Sequence, residues 1–543
     1  MTTLLLLSPI LLPLLGAAAL ALLARRTATS WVAAGSALAV LAVAIVLAVL
    51  VATDGPLAAA GLLRVDALSA FMLIVIGAVS VVAGVATPAY LRSEIALARA
   101  DLATSRRYAV LVQLFLAVMA LAVLAANFGV LWVAIEATTV VTAFLVGQRR
   151  TKAAVEAAWK YVVISSTGIA LALLGTFLLN FAALHTPDAA GLDWVALVAS
   201  GSQLDPAVTR IAVLLLIIGF GTKAGLAPLH AWLPDAHSQA PAPVSALMSG
   251  VLISVAFYAV LRVKVIADAA LGVDFARALL LVVSLASLAL AASLMLGQRD
   301  YKRMLAYSSI ENMGLLALGA AIGSPLAVAA VLLHILGHGL VKSALFIGAG
   351  RILQITGSSR IDAVRGLAGR APVLAGCFGI GVLAVIGFPP FSLFASELGI
   401  ARAGFAGGLG WATAAALLLA LVIAGALLVH TSRMLLGSAA VTAAAGDAVD
   451  VPVDELTVIA VPAVLPASGS DQPVAPLAVA TLPVATLVAT RLAQAPSPEA
   501  RRGPGSDVWA MAGALAACAV LGIWLGPLGT LLQQAAGIVT GTP

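Results

Sequence analysis

The chain has 543 residues, 62% hydrophobic and 10% charged, with a mean hydropathy of +1.13. Such a composition excludes a soluble protein with an ordinary polar surface, and in a membrane protein a net charge of +6 reports orientation rather than nucleic-acid binding. Two cysteines, Cys377 and Cys518, supply neither a disulfide framework nor the thiolate set of an iron–sulfur cluster, and there is no Gly-rich phosphate loop for ATP.

In chain order, apolar runs of the roughly 20 residues that cross a bilayer recur about fourteen times, from Leu4 to a last run beginning near Val508. The first, Leu4 to Ala24, is followed rather than preceded by its positive charges, Arg25 and Arg26, the reverse of a cleaved signal peptide. The fifth carries Glu136 at its middle, with no basic residue within a turn, so its partner must come from another helix. A later run is interrupted at Gly219-Phe220-Gly221-Thr222-Lys223-Ala224-Gly225 leading to Pro228, and His230 and His237 flank that break. The tenth run holds Glu311, and the eleventh holds His334, His338 and Lys342, spaced four apart and so stacked on one helical face. A second break, Gly387-Phe388-Pro389-Pro390, precedes Glu397. Residues 438–506 read as a Pro- and Ala-rich cytoplasmic connection whose apolar segment, Val474 to Leu487, is too broken by proline to span, and residues 507–543 read as a final transmembrane helix.

The expected fold is therefore an all-α membrane protein of about fourteen transmembrane helices. Residues 1–107 hold three initial helices, and residues 108–265 and 266–437 form two comparable five-helix repeats, each with one broken helix. Proline removes a backbone donor and clashes with the preceding turn, and lipid offers no replacement partner, so such breaks survive where protein or water lines them. Paired breaks point to inverted repeats with an ion site at the midplane. Basic clusters fall in the loops after the first, third, fifth, ninth and eleventh runs, which share a side; the positive-inside rule makes that side cytoplasmic and puts both termini opposite, in an inner (cytoplasmic) membrane. Arg262 and Lys264 are exceptions to this pattern.

A charge at a helix centre in lipid costs roughly 2.5 to 3.5 kcal/mol on insertion scales, so Glu136, Lys223, Lys342 and Glu397 call for a function. Burial disfavours the charged form of a lysine and an opposite charge favours it, so a Glu136–Lys223 pair can exchange a proton; the alternative is a static ion pair locking two helices. Imidazole both accepts and donates near neutral pH, which suits a relay through His334 and His338. A His pair at this spacing also suits zinc, but His334-Ile335-Leu336-Gly337-His338 lacks the Glu of a metalloprotease helix, and no metal site is expected. His230, His237, Glu311 and Ser254 are secondary relay or entry candidates.

Three stretches, Gly221-Thr222-Lys223-Ala224-Gly225-Leu226-Ala227-Pro228-Leu229-His230-Ala231-Trp232-Leu233-Pro234-Asp235-Ala236-His237, Lys302 to Ile310, and Gly387 to Phe391, resemble the antiporter-like membrane subunits of respiratory complex I and its relatives. Ile135-Glu136-Ala137-Thr138-Thr139 and Tyr307 to Gly314 most resemble the hydrogenase-4 component F type of group 4 membrane-bound nickel–iron hydrogenases and formate hydrogenlyase relatives. The resemblance implies a proton-translocating subunit without a redox centre of its own. Iron–sulfur, nickel–iron or flavin centres would belong to partner membrane and peripheral subunits. It also implies an input pair at Glu136 and Lys223 and an exit at Glu397. Ser254 stands where complex I subunits usually carry a central Lys, and a hydroxyl holds water but no charge. The alternatives are a subunit of a multi-subunit Na+/H+ antiporter, a membrane partner for inorganic carbon uptake, and a structural anchor without transport.

Overall fold

The computed structural model describes residues 2–23, 31–186, 191–437 and 505–541. The Pro/Ala-rich connection with its segment Val474 to Leu487, and Arg25, Arg26, Arg491, Arg501 and Arg502, lie outside the described residues. In chain order the helices are α1 (Thr2–Leu23), α2 (Val32–Asp54), α3 (Ala67–Ala96), α4 (Leu102–Leu124), α5 (Phe128–Val146), α6 (Lys152–Leu184), α7 (Trp194–Ala199), α8 (Pro206–Ala224), α9 (Trp232–Gln239) and α10 (Ala242–Leu247). There follow α11 (Ile253–Leu271), α12 (Val273–Leu296), α13 (Tyr301–Ile322), α14 (Pro325–Thr356), α15 (Leu367–Arg370), α16 (Pro372–Val385), α17 (Ser392–Ala406), α18 (Gly410–Leu436), α19 (Ser506–Ile523) and α20 (Pro527–Thr540). Thirteen of the described helical spans are long and apolar enough to cross a membrane. A further apolar run is split into α16 and α17, in line with the count of about fourteen. One short β-hairpin, Leu57–Ala59 with Leu63–Val65, joins α2 to α3 in the otherwise helical fold.

Helix ends follow capping chemistry. The Asp66, Asp101, Asn127, Thr151 and Asp300 side chains accept hydrogen bonds from backbone N–H groups of the first turn. Asp205-Pro206 and Ser324-Pro325 place a cap before proline at the first helical position. Residues 507–543 do not form one helix: α19 stops at Ile523 and α20 starts at Pro527. Gly526 turns the chain at φ +50, and Pro527 has no N–H to continue the preceding helix.

The centre of the molecule is α14 and the continuous α10–α11 pair. The most apolar windows of both are wholly buried, whereas that of α1 is 28% buried. α10 and α11 are joined by one π-helical turn, Met248–Leu252, and cross α14 where Gly250 faces Gly339. A Cβ added at Gly250 would lie 2.7 Å from Val79 Cγ1 and 3.1 Å from the Gly339 carbonyl oxygen, so the glycine makes room for both neighbours.

Arg262 and Lys264, which broke the loop-charge pattern, are internal. Arg262 donates to Asp66 at 2.7 Å, with Ser69 and Tyr258 completing a buried network. Lys264 pairs with Asp268 one turn along the same helix. Arg149, counted with the loop charges, reaches Glu94 at 3.2 Å and Tyr90 at 3.1 Å. Each of these charges is paired within the protein.

Candidate functional site

Glu136 lies near the middle of α5 and faces α6 and α8. Its Oε1 accepts from Ser166 Oγ at 3.3 Å and its Oε2 from Thr139 Oγ1 at 3.2 Å. Lys223, 1% exposed, does not contact Glu136 as an ion pair. Its Nζ donates to Thr139 Oγ1 at 2.6 Å and to Tyr161 Oη at 2.7 Å. Thr139 therefore accepts from the lysine and donates to the carboxylate, so one hydroxyl links the two charges that the sequence pairs directly.

The first break explains how an ammonium is held here. α8 ends as Gly225 enters the left-handed region at φ +79, and Leu226 N–H bonds back to the Gly221 carbonyl at 2.9 Å. Pro228 lies exposed in the turn that follows. Lys223 thus occupies the last turn of α8, where carbonyl ends carry partial negative charge. Trp232 Nε1 donates to the Thr222 carbonyl at 2.9 Å, and its ring meets Tyr161 edge-on at 5.0 Å, fixing the phenol beside Lys223.

The two histidines flanking this break diverge. His230 is partly exposed and bonds its own turn, Nδ1 to the Pro228 carbonyl at 3.1 Å. His237 is fully buried and stacks on Phe346 of α14 at 4.5 Å, and neither of its ring nitrogens has a hydrogen-bond partner among the described residues. The charges of Lys302 and Lys342 both act on it. Lys302 donates to the Ser238 and Ala240 carbonyls at 2.9 and 3.0 Å, closing the C-terminal end of α9.

Ser254 is fully buried directly after the π turn, and its Oγ has no partner among the described residues. Beside it Ser249 and Ser309 share a hydrogen bond of 2.9 Å. Lys342 donates to the Leu305 carbonyl at 2.8 Å and to Ser308 Oγ, and the charge of Glu311 acts on it.

Along α14 the rings of His334 and His338 lie stacked with centroids 6.4 Å apart. Neither nitrogen of His338 has a hydrogen-bond partner among the described residues. His334 is fully engaged, Nε2 on Asn312 Oδ1 and Nδ1 on Ser396 Oγ, both at 2.9 Å. Asn312 Nδ2 donates to Glu311 Oε2 at 2.7 Å and to the Ser308 carbonyl at 2.6 Å, which fixes its oxygen toward His334 and makes Nε2 the donor. Ser396 Oγ lies 2.8 Å from the Leu393 carbonyl. With His334 neutral, Ser396 donates to Nδ1. With His334 protonated, Nδ1–H donates to Ser396, whose own proton turns to Leu393. The site accommodates both protonation states without losing a partner.

Glu397, next to Ser396, packs against the second break. Gly387 stands at φ +71, and a Cβ there would collide with Glu397 Oε2. Phe388, Pro389 and Pro390 are exposed, as Pro228 is at the first break.

The structure thus gathers Glu136 with Lys223, and Glu311 and Lys342 with His334 and His338. Glu397 adjoins the second group, His237 faces the centre, and His230 stands apart. Thr139, Tyr161, Ser308, Asn312 and Ser396 complete the clusters, although the sequence alone does not single them out.

A family model described as "NADH:quinone oxidoreductase/Mrp antiporter, TM" matches residues 125–423. The chain is 41% identical over 319 residues to a hydrogenase-4 component F homolog of Methylacidiphilum infernorum, covering 58% of this chain and 67% of that one. It is 31% identical over 347 residues to hydrogenase-4 component B of Escherichia coli, covering 62% of this chain and 50% of that one. With NADH-quinone oxidoreductase subunit N of Desulforudis audaxviator it shares 39% identity over 206 residues, 37% of this chain and 41% of the other. Among solved structures, a chain of the membrane-bound sulfane sulfur reductase, an archaeal respiratory membrane complex, superposes with a TM-score of 0.77 at 23% identity, covering 99% of this chain and 97% of that one. A chain of the Mrp complex from Dietzia sp. DQ12-45-1b gives 0.77 at 22% identity and 99% and 98% coverage. A chain of respiratory complex I from Thermus thermophilus gives 0.67 at 21% identity and 96% and 98% coverage.

Proposed function

The chain belongs to the NADH:quinone oxidoreductase/Mrp antiporter transmembrane family, and from that premise we propose that it is the proton-translocating, antiporter-like membrane subunit of a hydrogenase-like or complex I-like respiratory assembly. The observation that carries this reading is the hydrogen-bonded series Lys223–Thr139–Glu136 beside an unwound helix, with Lys223 and Thr139 buried and Glu136 partly exposed. In this series a proton leaving Lys223 Nζ arrives on Thr139 Oγ1 as the threonine's own proton passes to Glu136 Oε2. An ammonium and a carboxylate become an amine and a carboxylic acid, and no charge is left unpaired in the membrane. An event in a partner subunit that changes the field at Glu136 then sets the state of Lys223.

From Lys223 the route runs toward Lys342, with Ser254, His237 and His338 as intermediate stations. Each of these three carries a buried polar atom with no protein partner among the described residues. Leaving such a group unsatisfied costs about 1 to 3 kcal/mol, and water satisfies it where the site is polar and roomy enough. His334, Glu311 and Glu397 form the outlet. Electron-transfer centres reside on partner chains, the arginine-rich end of the helices faces the cytoplasm of an inner membrane, and residues 108–265 and 266–437 act as two repeats.

The test is proton uptake driven by the electron donor in vesicles containing the assembled complex. Lys223→Ala abolishes uptake while the complex still assembles. Undiminished uptake in that variant refutes the reading, and uptake that requires sodium converts it to Na+/H+ exchange.

A further inference from the structure

We propose that the groove bounded by α4, α5 and α6 binds an anionic phospholipid. The cavity holds about 900 Å³, inside the ~300–1,000 Å³ range of ligand sites. Its walls are apolar, among them Phe144, Trp159 and Val162, and Arg106, Arg107 and Arg150 stand at one end.

The arginines converge because the chain reverses twice at this membrane face. Arg106 and Arg107 lie in the first two turns of α4, and Arg150 sits between the end of α5 and the start of α6, in a left-handed conformation at φ +51. None of the three has an ion-pair partner among the described residues, whereas the neighbouring Arg149 is held by Glu94 and Tyr90. Val162 lies ten residues along α6 from Lys152, about 15 Å at 1.5 Å per residue. The groove therefore extends from the charged rim well into hydrocarbon depth. Trp159 and Phe144 are 65% and 64% exposed within it.

One ligand answers both ends. A phosphodiester headgroup takes the guanidinium forks in paired, charge-assisted hydrogen bonds, and its acyl chains cover the apolar walls. Basic pockets between transmembrane helices recognise anionic headgroups in this way, and a tryptophan at headgroup level is an ordinary interfacial anchor. A partner helix filling the groove would have to bring its own acidic residues to three unpaired arginines.

The experiment uses the full chain in phosphatidylcholine nanodiscs with a minor fraction of either brominated phosphatidylglycerol or brominated phosphatidylcholine. The Trp159 fluorescence is taken as the difference from Trp159→Phe. Brominated phosphatidylglycerol is expected to quench it at a concentration about fivefold lower, the advantage of one basic side chain at an anionic surface. The triple variant Arg106→Gln/Arg107→Gln/Arg150→Gln loses that preference and keeps the quenching by phosphatidylcholine. Equal quenching by the two lipids in the unaltered chain makes the groove ordinary bilayer contact and overturns the proposal. Absence of quenching by either lipid means that protein covers the groove, and overturns it too.

Discussion

Lys223 and Glu136 meet through Thr139: Nζ donates to Oγ1 at 2.6 Å, and Oγ1 donates to Glu136 Oε2 at 3.2 Å. A direct ion pair at this depth would be a lock, since separating two bare charges in a low dielectric is costly. A bridging hydroxyl lets the proton move while the side chains stay in place.

The second cluster depends on an amide that orients two ionisable groups. Asn312→Leu removes the donor to Glu311 and the acceptor of His334 together. With each orphaned buried group costing about 1 to 3 kcal/mol, thermal unfolding of the detergent-purified chain should show a clear loss of stability. Ser396→Ala, by contrast, removes only the hydroxyl that lets His334 change protonation state. Its expected signature is a smaller loss of thermal stability than in Asn312→Leu, since one buried atom of His334 is orphaned rather than a pair, with a proton uptake rate lowered by about tenfold or more, toward the lower range for loss of a positioned proton-transfer group.

Gly387→Ala tests whether the second break positions Glu397. The added methyl meets Glu397 Oε2 and is forced onto a backbone at φ +71, a combination that costs more than the ~1 kcal/mol of an ordinary glycine position. Proton uptake should fall in the assembled complex, and pairing the change with the shorter Glu397→Asp should restore part of it. Uptake at the original level in Gly387→Ala alone would show that the carboxylate is not held there.

Asp66 and Arg262 are buried charges assigned no part in the relay. Removing one partner strands the other, at about 3 to 5 kcal/mol, so Asp66→Leu should lower the yield of folded protein severely. Asp66→Leu combined with Arg262→Met removes both charges and should recover the fold, with unchanged proton uptake per assembled complex. Lost uptake in a well-folded double variant would bring this pair into the pathway.

What the sequence reveals here follows from contrast. Glu136, Lys223, His334, His338 and Lys342 stand out because a charge or an imidazole is rare in an apolar run, and the two helix breaks stand out because glycine and proline are. Thr139, Ser308 and Ser396 do not, since hydroxyls are common in membrane helices and usually bond the preceding turn of their own helix. The spacing of Thr139 three residues after Glu136 was a usable signal, since it sets both on one face of α5. His230 and His237 look equivalent in sequence. The stripe Leu233-Ala236-His237 on the buried side of α9 separates them, but α9 is a short helix inside a break, and its extent is not evident from periodicity. The π turn before Ser254 has no signature in the run Met248-Ser249-Gly250-Val251-Leu252 that sets it apart from an α-helix.

The most direct measurement of the central claim is donor-driven proton uptake in vesicles containing the complex with Thr139→Val, set beside Thr139→Ser. The account predicts that the isosteric valine, which keeps shape and removes the hydroxyl, lowers uptake by about 10²-fold, the scale of a lost proton-transfer group, while serine stays within a few-fold of the original. Equal uptake by the valine and serine variants would contradict it, since protons would then pass between Glu136 and Lys223 without the bridge.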